Sequence, residues 1–339
     1  MAETVLVTGG SGFIGSWCVI ELLRRGYLVR ATVRNLRSEA PVRAAIDALG
    51  HAHNSLSFHS ANLTSDDGWD EAVAGCDYVL HVASPLAVAE PRDPDTIIGP
   101  ARNGAVRVIG AAIKAGVKRV VMTSSVAAAG RGPKAPDGVA DEAVWSDGDD
   151  VRIGAYARSK TIAERAAWDL IGSAGGTTSL TTVNPTLVLG PVLSRDFSES
   201  IQVVERLLTG RVPGIPRLGF NIVDVRDVAD LHIRAMTSEA AAGERFIAAG
   251  AWAWMAEIAA ILRASLATDA AKVPTRKAPD LLLRLVGLFD RDVGSVAGSL
   301  GRKSDFTSAK AQAMLGWTPR PTRDTVLDCA RSLIAAGAV

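Results

Sequence analysis

Three cysteines in 339 residues, Cys18, Cys76 and Cys329, stand far apart in the chain. No metal-type or disulfide-framework spacing relates them, which argues against a disulfide scaffold or a structural zinc module and fits a reducing compartment. They read as small buried apolar residues. Charge of one sign is lacking as well: 37 Lys and Arg face 36 Asp and Glu. No global field draws the chain to nucleic acid or anionic membrane, so any basic group that matters acts locally. No apolar run is long enough to span a bilayer, and strand signal begins within a few residues of Met1, leaving no room for a signal peptide. Repeats and low-complexity tracts are missing too. The expectation is a cytoplasmic globular protein, monomer or homodimer, with no metal, nucleic acid or membrane partner. At 48% hydrophobic and 22% charged, the chain has material for a sizeable core in one large domain or two.

What is present begins with Val5-Leu6-Val7-Thr8-Gly9-Gly10-Ser11-Gly12-Phe13-Ile14-Gly15. An apolar run ending at Thr8 suits a buried parallel strand, and Ile14, Cys18 and Leu22 recur every four residues as one face of a helix. The glycines therefore occupy a strand-to-helix turn. A turn without side chains lets a pyrophosphate approach backbone N–H groups at the positive end of a helix, so a dinucleotide site is predicted. Tyr27 to Val33 reads as a second strand running into Arg34, with Arg37 close behind and no acid before Glu39. A site for NAD places a carboxylate there and a site for NADP places a cation, so the pattern favours NADPH/NADP+.

Strand and helix continue to alternate. Helical patterns at Pro41 to Leu49, Trp69 to Ala74 and through Asn103, Val106, Ile109 and Ile113 separate strands at Ser55 to Phe58, Tyr78 to Val82 and Lys118 to Met122. The last two strands run into Ala83-Ser84 and Thr123-Ser124-Ser125. An acidic excursion from Gly130 to Asp150 reads as a solvated loop. Leu180 to Val183 supplies a further strand, stopped at Asn184-Pro185 because proline cannot donate within a central ladder. Helix is expected at Ser198 to Leu208, a short strand at Asn221 to Val223, Asp224 as the cap of the next helix, and a return to the sheet at Glu244 to Ala248. From Trp252 onward the pattern is mainly helical. The domain reading is 1–190 with returning segments at about 220–250 for the dinucleotide, and 191–219 with 251–339 for the substrate.

Tyr156 and Lys160 stand four apart on a predicted helix, which places phenol and ammonium on one face. In an open parallel sheet the ligand crevice lies beyond the carboxyl ends of the strands, where the glycine turn, Arg34, Ala83-Ser84, Ser125 and Asn184-Pro185 all fall. A carbonyl that accepts a hydride needs a proton for its developing alkoxide, and a phenol beside a cation can supply one. Lys160 is expected to bring the Tyr156 phenol closer to operating pH and to hold ribose hydroxyls, with Ser125 hydrogen-bonding the same carbonyl oxygen.

These motifs together resemble the extended short-chain dehydrogenase/reductases, in particular the dihydroflavonol reductase, cinnamoyl-CoA reductase and methylglyoxal/aldehyde reductase group. The resemblance rests on Thr8 to Gly15, Ala31 to Asn35, His81 to Pro85, Thr123 to Ser125, Tyr156 to Glu164 and Asn184 to Pro191, with Asp224 to Ala229 and Leu315 to Arg320 on the substrate side. It implies an α/β fold, a Rossmann-type doubly wound parallel sheet with a smaller, mainly helical C-terminal substrate domain. It also implies catalytic Ser125, Tyr156, Lys160 and Asn103. The implied cofactor contacts are Thr8, Gly9, Gly12, Phe13, Ile14, Gly15, Arg34, Arg37, Asn62, Leu63, Val82, Ala83, Ser84, Thr123, Tyr156, Lys160, Pro185, Thr186, Leu187 and Val188. The form read at the turn is Gly9, Gly12 and Gly15, because that form accompanies the Tyr-x-x-x-Lys chemistry in the family resembled.

Two departures from the group stand out, the first bearing on substrate and the second on the adenine side of the cofactor. Apolar Val126-Ala127-Ala128-Ala129-Gly130 follows the serine where flavonoid reductases carry polar residues, and Asn62 stands where an acid is common. Ser84, Val126, Trp145, Phe197 and Phe220 are the pocket candidates, with Trp252 nearby in pattern; the aromatic ones are equally core-forming residues. The function implied is an NADPH-dependent carbonyl reductase acting reversibly on a small carbonyl or alcohol. The competing readings are an NAD(P)-dependent epimerase/dehydratase or hydroxysteroid-type dehydrogenase of the same fold, and a non-catalytic dinucleotide-binding redox sensor.

Overall fold

The computed structural model describes residues 2–50, 53–85, 91, 93–130, 132, 138–194, 198–289, 294 and 296–339. Seven parallel strands form the main sheet: β1 (Thr4–Thr8), β2 (Leu28–Val33), β3 (Leu56–Ser60), β4 (Tyr78–His81), β5 (Arg119–Thr123), β7 (Ser179–Pro185) and β10 (Arg245–Ala248). Their spatial order is β10-β7-β5-β4-β1-β2-β3. The chain therefore leaves β1 toward one edge and returns to β4 to run toward the other. A crevice opens where the order reverses, between the carboxyl ends of β1 and β4.

Strand periodicity decides the layers. Val5 and Val7 enter one hydrophobic cluster with α1 (Phe13–Arg24) and α7 (Val225–Thr237), while Leu6 between them enters another with α4 (Asp95–Lys114) and α5 (Gly154–Ala174). The same alternation separates Val121 from Val120 and Met122. Because both faces are covered by helices, the central strands β1, β4 and β5 are largely apolar runs with little polar alternation. Ile14, Cys18 and Leu22 pack where their spacing put them, and Cys18, Cys76 and Cys329 are buried free thiols.

Asp224 caps α7 as its position implied, its Oδ1 accepting from the Arg226 N–H at 2.9 Å. The strand ending there, β9 (Gly219–Asp224), does not join the main sheet. It lies between β8 (Leu187–Leu189) and β11 (Trp252–Trp254) in a three-stranded sheet. That sheet, α6 (Gln202–Leu208), α8 (Met255–Leu266) and the helix Thr322–Ala335 build a second core through Leu189, Ile201, Leu207, Ile222, Leu262 and Val326. Among its described residues the 130–150 excursion holds one short strand, β6 (Gly138–Ala140), paired with β12 (Ser304–Phe306). Three residues beside a glycine- and proline-containing stretch give no local strand signal; only the distant partner makes them one. Among the described residues no helix is long and apolar enough to cross a membrane.

Candidate active site

The glycine turn is shaped by close approach. Gly9 sits at φ +68°, the left-handed region that glycine enters freely. A Cβ on Gly15 would overlap the Gly9 carbonyl oxygen, so that glycine lets α1 pack onto the turn. Gly12 opens the helix and would meet only the Gly9 oxygen at 3.3 Å, leaving its outer side approachable. No side chain caps α1 and no acid occupies its first turn, which suits a helix end that receives an anion. These are the roles of turn, close approach and helix packing that a dinucleotide fingerprint assigns to three glycines, here Gly9, Gly12 and Gly15. Gly10 is needed for packing too, since its Cβ would stand 2.6 Å from Ala31 Cβ.

Thr8 serves the strand ends. Its Oγ1 lies 2.9 Å from His81 Nδ1 and accepts from the Ala83 N–H at 3.0 Å, so it joins β1 to β4 across the reversal point. On the other side of the turn, Arg34 and Arg37 are exposed beyond β2, and the Asn35 side chain fixes Arg37 by accepting its N–H at 2.9 Å. Among the described residues neither arginine has a carboxylate partner, which leaves both for an anion. Asn62 is exposed after β3, its Oδ1 taken up by the N–H and hydroxyl of Thr64. Its amide nitrogen is the end suited to adenine. Neighbouring Leu63 packs beside α4, where a Cβ on Gly104 would stand 3.0 Å from it.

At the far end, the carboxyl ends of β5 and β7 meet α5. Ser125 accepts from the Ala127 N–H at 3.1 Å, which leaves its own proton to donate, and its hydroxyl stands close enough to the Tyr156 phenol to favour the ionised form. Ser124 turns away, donating to Glu164 at 2.5 Å inside the protein. The two serines thus part, Ser124 toward the interior and Ser125 toward Tyr156. Tyr156 keeps 40% of its surface open, yet the protein packed around it dominates and raises the phenol above its ordinary value. The nearby Ser125 hydroxyl opposes that rise and the Glu199 carboxylate reinforces it. The lowering expected from Lys160 is not what the fold provides: Lys160 is buried, down at about 8 through burial, and its electrostatic neighbours are Glu164 and His81.

Other expected contacts are placed differently. Thr123 gives its hydroxyl to His232 Nε2 at 2.7 Å, because His232 Nδ1 already donates to the Val228 carbonyl. Its side chain faces the α7 layer, away from the crevice. Asn103 stands exposed on α4 with its Oδ1 accepting from neighbouring Arg102, so its hydrogen bonding does not join it to Ser125, Tyr156 or Lys160. Trp145 is no bare apolar wall: the guanidinium groups of Arg245 and Arg165 lie 3.6 and 4.7 Å from its ring centre, drawn to the negative π-face. Phe220 packs into the second core on β9, and Val126 packs against Ala129, Ile247 and Ala249 beside the serine. Ser84 follows Ala83 at the end of β4, half-buried. Pro185, Thr186, Leu187 and Val188 line the passage from β7 to β8, with Thr186 held to the Ala248 carbonyl at 3.2 Å. Phe13 and Ile14 begin α1, and Phe13 touches both cores. Phe197 lies outside the described residues.

The two histidines beneath the strand ends set an acid limit. Burial holds His81 at about 3 and His232 at about 4, against an ordinary value near 6.5. The unfolded chain binds these protons below about pH 6.5 and the fold does not, so stability present above that pH is lost as pH falls toward 4. The loss approaches about 1.4 kcal/mol per histidine per pH unit. Urea unfolding at about pH 7.5 and about pH 5 should show a lower midpoint in acid, and His232→Gln should flatten the difference.

A family model described as the NAD dependent epimerase/dehydratase family matches residues 5–249. The chain belongs to that family. Cinnamoyl-CoA reductase 1 of Arabidopsis thaliana is 39% identical over 252 residues, 74% of this chain and 71% of the relative. Dihydroflavonol 4-reductase of Gerbera hybrida is 37% identical over 269 residues, 77% of this chain and 72% of the relative. Among solved structures, the yeast methylglyoxal/isovaleraldehyde reductase Gre2 complexed with NADPH superposes with a TM-score of 0.84 at 26% identity, covering 99% of this chain and all of that one. This family member thus sits among reductases of the extended short-chain type. Two residues of its site went unassigned in the sequence: Glu164 and Arg245. Glu164 was legible as the next residue along the Tyr156–Lys160 face, whereas Arg245 gives no local signal.

Proposed function

We propose that this chain is an NADPH-dependent reductase of aldehydes or ketones. The observation that carries the reading is Ser125 standing beside the Tyr156 phenol, one helical turn from buried Lys160, at the same end of the sheet as the glycine turn. The site fits its cofactor: Gly12 leaves an approachable helix end, and Arg34 with Arg37 offers cations where a 2′-phosphate would lie. Bound NADPH supplies the hydride that adds to the carbonyl carbon. Tyr156 then gives its proton to the carbonyl oxygen as the C=O π bond opens, and Ser125 donates a hydrogen bond to the same oxygen. Lys160 would hold the nicotinamide ribose through its three donors. A phenol raised above its ordinary value stays protonated at neutral pH, the form that reduction requires; oxidation of an alcohol needs the scarcer phenolate.

The second core beyond Gly190 supports a substrate side built from 191–219 and 251–339, packed against a dinucleotide side of 1–190 with α7 and β10. Its partner is a small carbonyl or alcohol. NADPH absorbance followed over a panel of aliphatic and aromatic aldehydes, ketones and diketones tests the reading. Consumption with some members supports it, and none with any member overturns it.

Cofactor choice gives a sharper expectation. Arg34→Asp removes a cation and adds an anion at the 2′-phosphate position, so NADPH should bind about 100-fold more weakly while NADH changes only a few-fold. Titration of both cofactors by fluorescence checks this, and equal losses would show that Arg34 does not meet the phosphate.

A further inference from the structure

Behind Ser125 and Tyr156 lies a buried charged pair that the reaction, as described, does not use. Glu164 on α5 is fully buried and Arg245 on β10 nearly so. Glu164 Oε1 accepts from Arg245 Nε at 2.7 Å and from Thr182 Oγ1 at 2.8 Å; Oε2 accepts from Ser124 Oγ at 2.5 Å and Asn184 Nδ2 at 2.8 Å. The same Asn184 nitrogen donates to the Ser125 carbonyl oxygen at 3.1 Å. Arg245 is itself held, donating from Nη1 to the carbonyls of Glu142 and Val144 at 2.6 and 3.0 Å and resting on Trp145. One carboxylate therefore joins the catalytic helix to the ends of β5, β7 and β10.

Stability alone accounts poorly for this arrangement. Removing two charges from water is costly, and apolar residues of similar volume commonly serve a fold as well. Placement supplies a reason. Glu164 follows Lys160 by four residues and Tyr156 by eight, on one helix face.

We propose that Glu164 is a positioning residue for the reduction: clamped by Arg245, it fixes the Ser125 backbone through Asn184 and sets a carboxylate one turn along the helix from the Lys160 ammonium. This rests on the reductase reading above. The titratable groups acting with Lys160 are His81 on β4 and, on its own helix, Glu164; Ser124, Thr182 and Asn184 complete the surroundings of the carboxylate without charge. Glu199 acts on Tyr156, and Arg245 reaches Lys160 only through Glu164. Burial brings Lys160 down to about 8, and the Glu164 charge opposes that fall. His81 stays neutral down to about 3 and leaves this balance alone near neutrality. Without the carboxylate the ammonium loses its proton at lower pH.

Glu164→Gln should lower kcat about 10-fold at neutral pH, with a smaller change in KM, and move the alkaline limb of kcat/KM about one pH unit toward acid. Glu164→Asp should restore part of both. Because glutamine leaves Arg245 without its partner, the double variant Glu164→Gln, Arg245→Met removes both charges together; it should fold and still show the shifted limb. A reading free of turnover is the NADPH dissociation constant against pH, by fluorescence: affinity should fall above about pH 8 in the native protein and about one unit lower in the variants. A folded Glu164→Gln or double variant with the native limb and the native binding profile overturns the proposal. If Tyr156→Phe abolishes turnover while Glu164→Gln behaves as native, this proposal alone falls; if Tyr156→Phe turns over normally, the reductase reading falls first.

Discussion

Tyr156→Phe is expected to lower kcat for carbonyl reduction by about 10²–10⁴-fold, the range that a positioned proton donor contributes. The ring and its packing are kept, and only the hydroxyl beside Ser125 is lost. NADPH affinity should therefore change little, since the glycine turn, Arg34 and Lys160 are untouched. Stopped-flow turnover beside a fluorescence titration separates the two quantities. A variant that turns over at the native rate would remove Tyr156 from the chemistry, and one that merely loses cofactor would recast it as a binding residue. Ser125 cannot substitute in the variant. An aliphatic alcohol gives up a proton far less readily than a phenol, so its hydroxyl can hydrogen-bond the carbonyl oxygen but not replace the phenol as acid.

The second large effect belongs to the turn. Gly15→Ala places a methyl group into the Gly9 carbonyl oxygen, with the Gly10 backbone 3.4 Å away, so neither neighbour can yield as a flexible side chain would. The end of α1 must lift from β1. Overpacking of this kind costs about 1–3 kcal/mol, and the displaced N–H groups no longer converge on a phosphate, so NADPH should weaken by about 100-fold or more. Urea unfolding and cofactor titration measure the two losses. Gly12→Ala is the informative contrast, because its methyl group meets protein only at 3.3 Å. That contact is tight yet far milder than the one at Gly15, so the variant should lose less stability than Gly15→Ala while still losing cofactor.

How much of this was legible in the sequence follows the range of each interaction. The glycine turn, the Tyr156–Lys160 face and the Asp224 cap are local, written in spacing of a few residues, and the structure places each where its spacing implied. Strand order follows from the alternation of strand and helix joined to the glycine turn. Interactions between distant segments had no such signature. Thr123 sits at a strand end beside the crevice, yet its hydroxyl is claimed by His232, more than a hundred residues later. Trp145 reads as an apolar candidate until β10 brings Arg245 onto its ring. The influence on Tyr156 was misassigned for a related reason: neighbours along the helix are visible in a sequence, whereas burial and the approach of Glu199 are not.

Arg245 has a consequence for the order in which the molecule can be completed. Its strand occupies the edge of the sheet and is the last to be made, so a ribosome has already released the glycine turn, both serines, Tyr156 and Lys160 before Glu164 can meet its guanidinium partner. Parallel pairing between β7 and β10 also closes a loop of some sixty residues, an entropic toll that local helix formation does not bear. Until that closure the Glu164 carboxylate lacks its charged partner and must keep water around it. The carboxylate that tethers Ser125 through Asn184 thus gains its last anchor only with the final strand of the sheet.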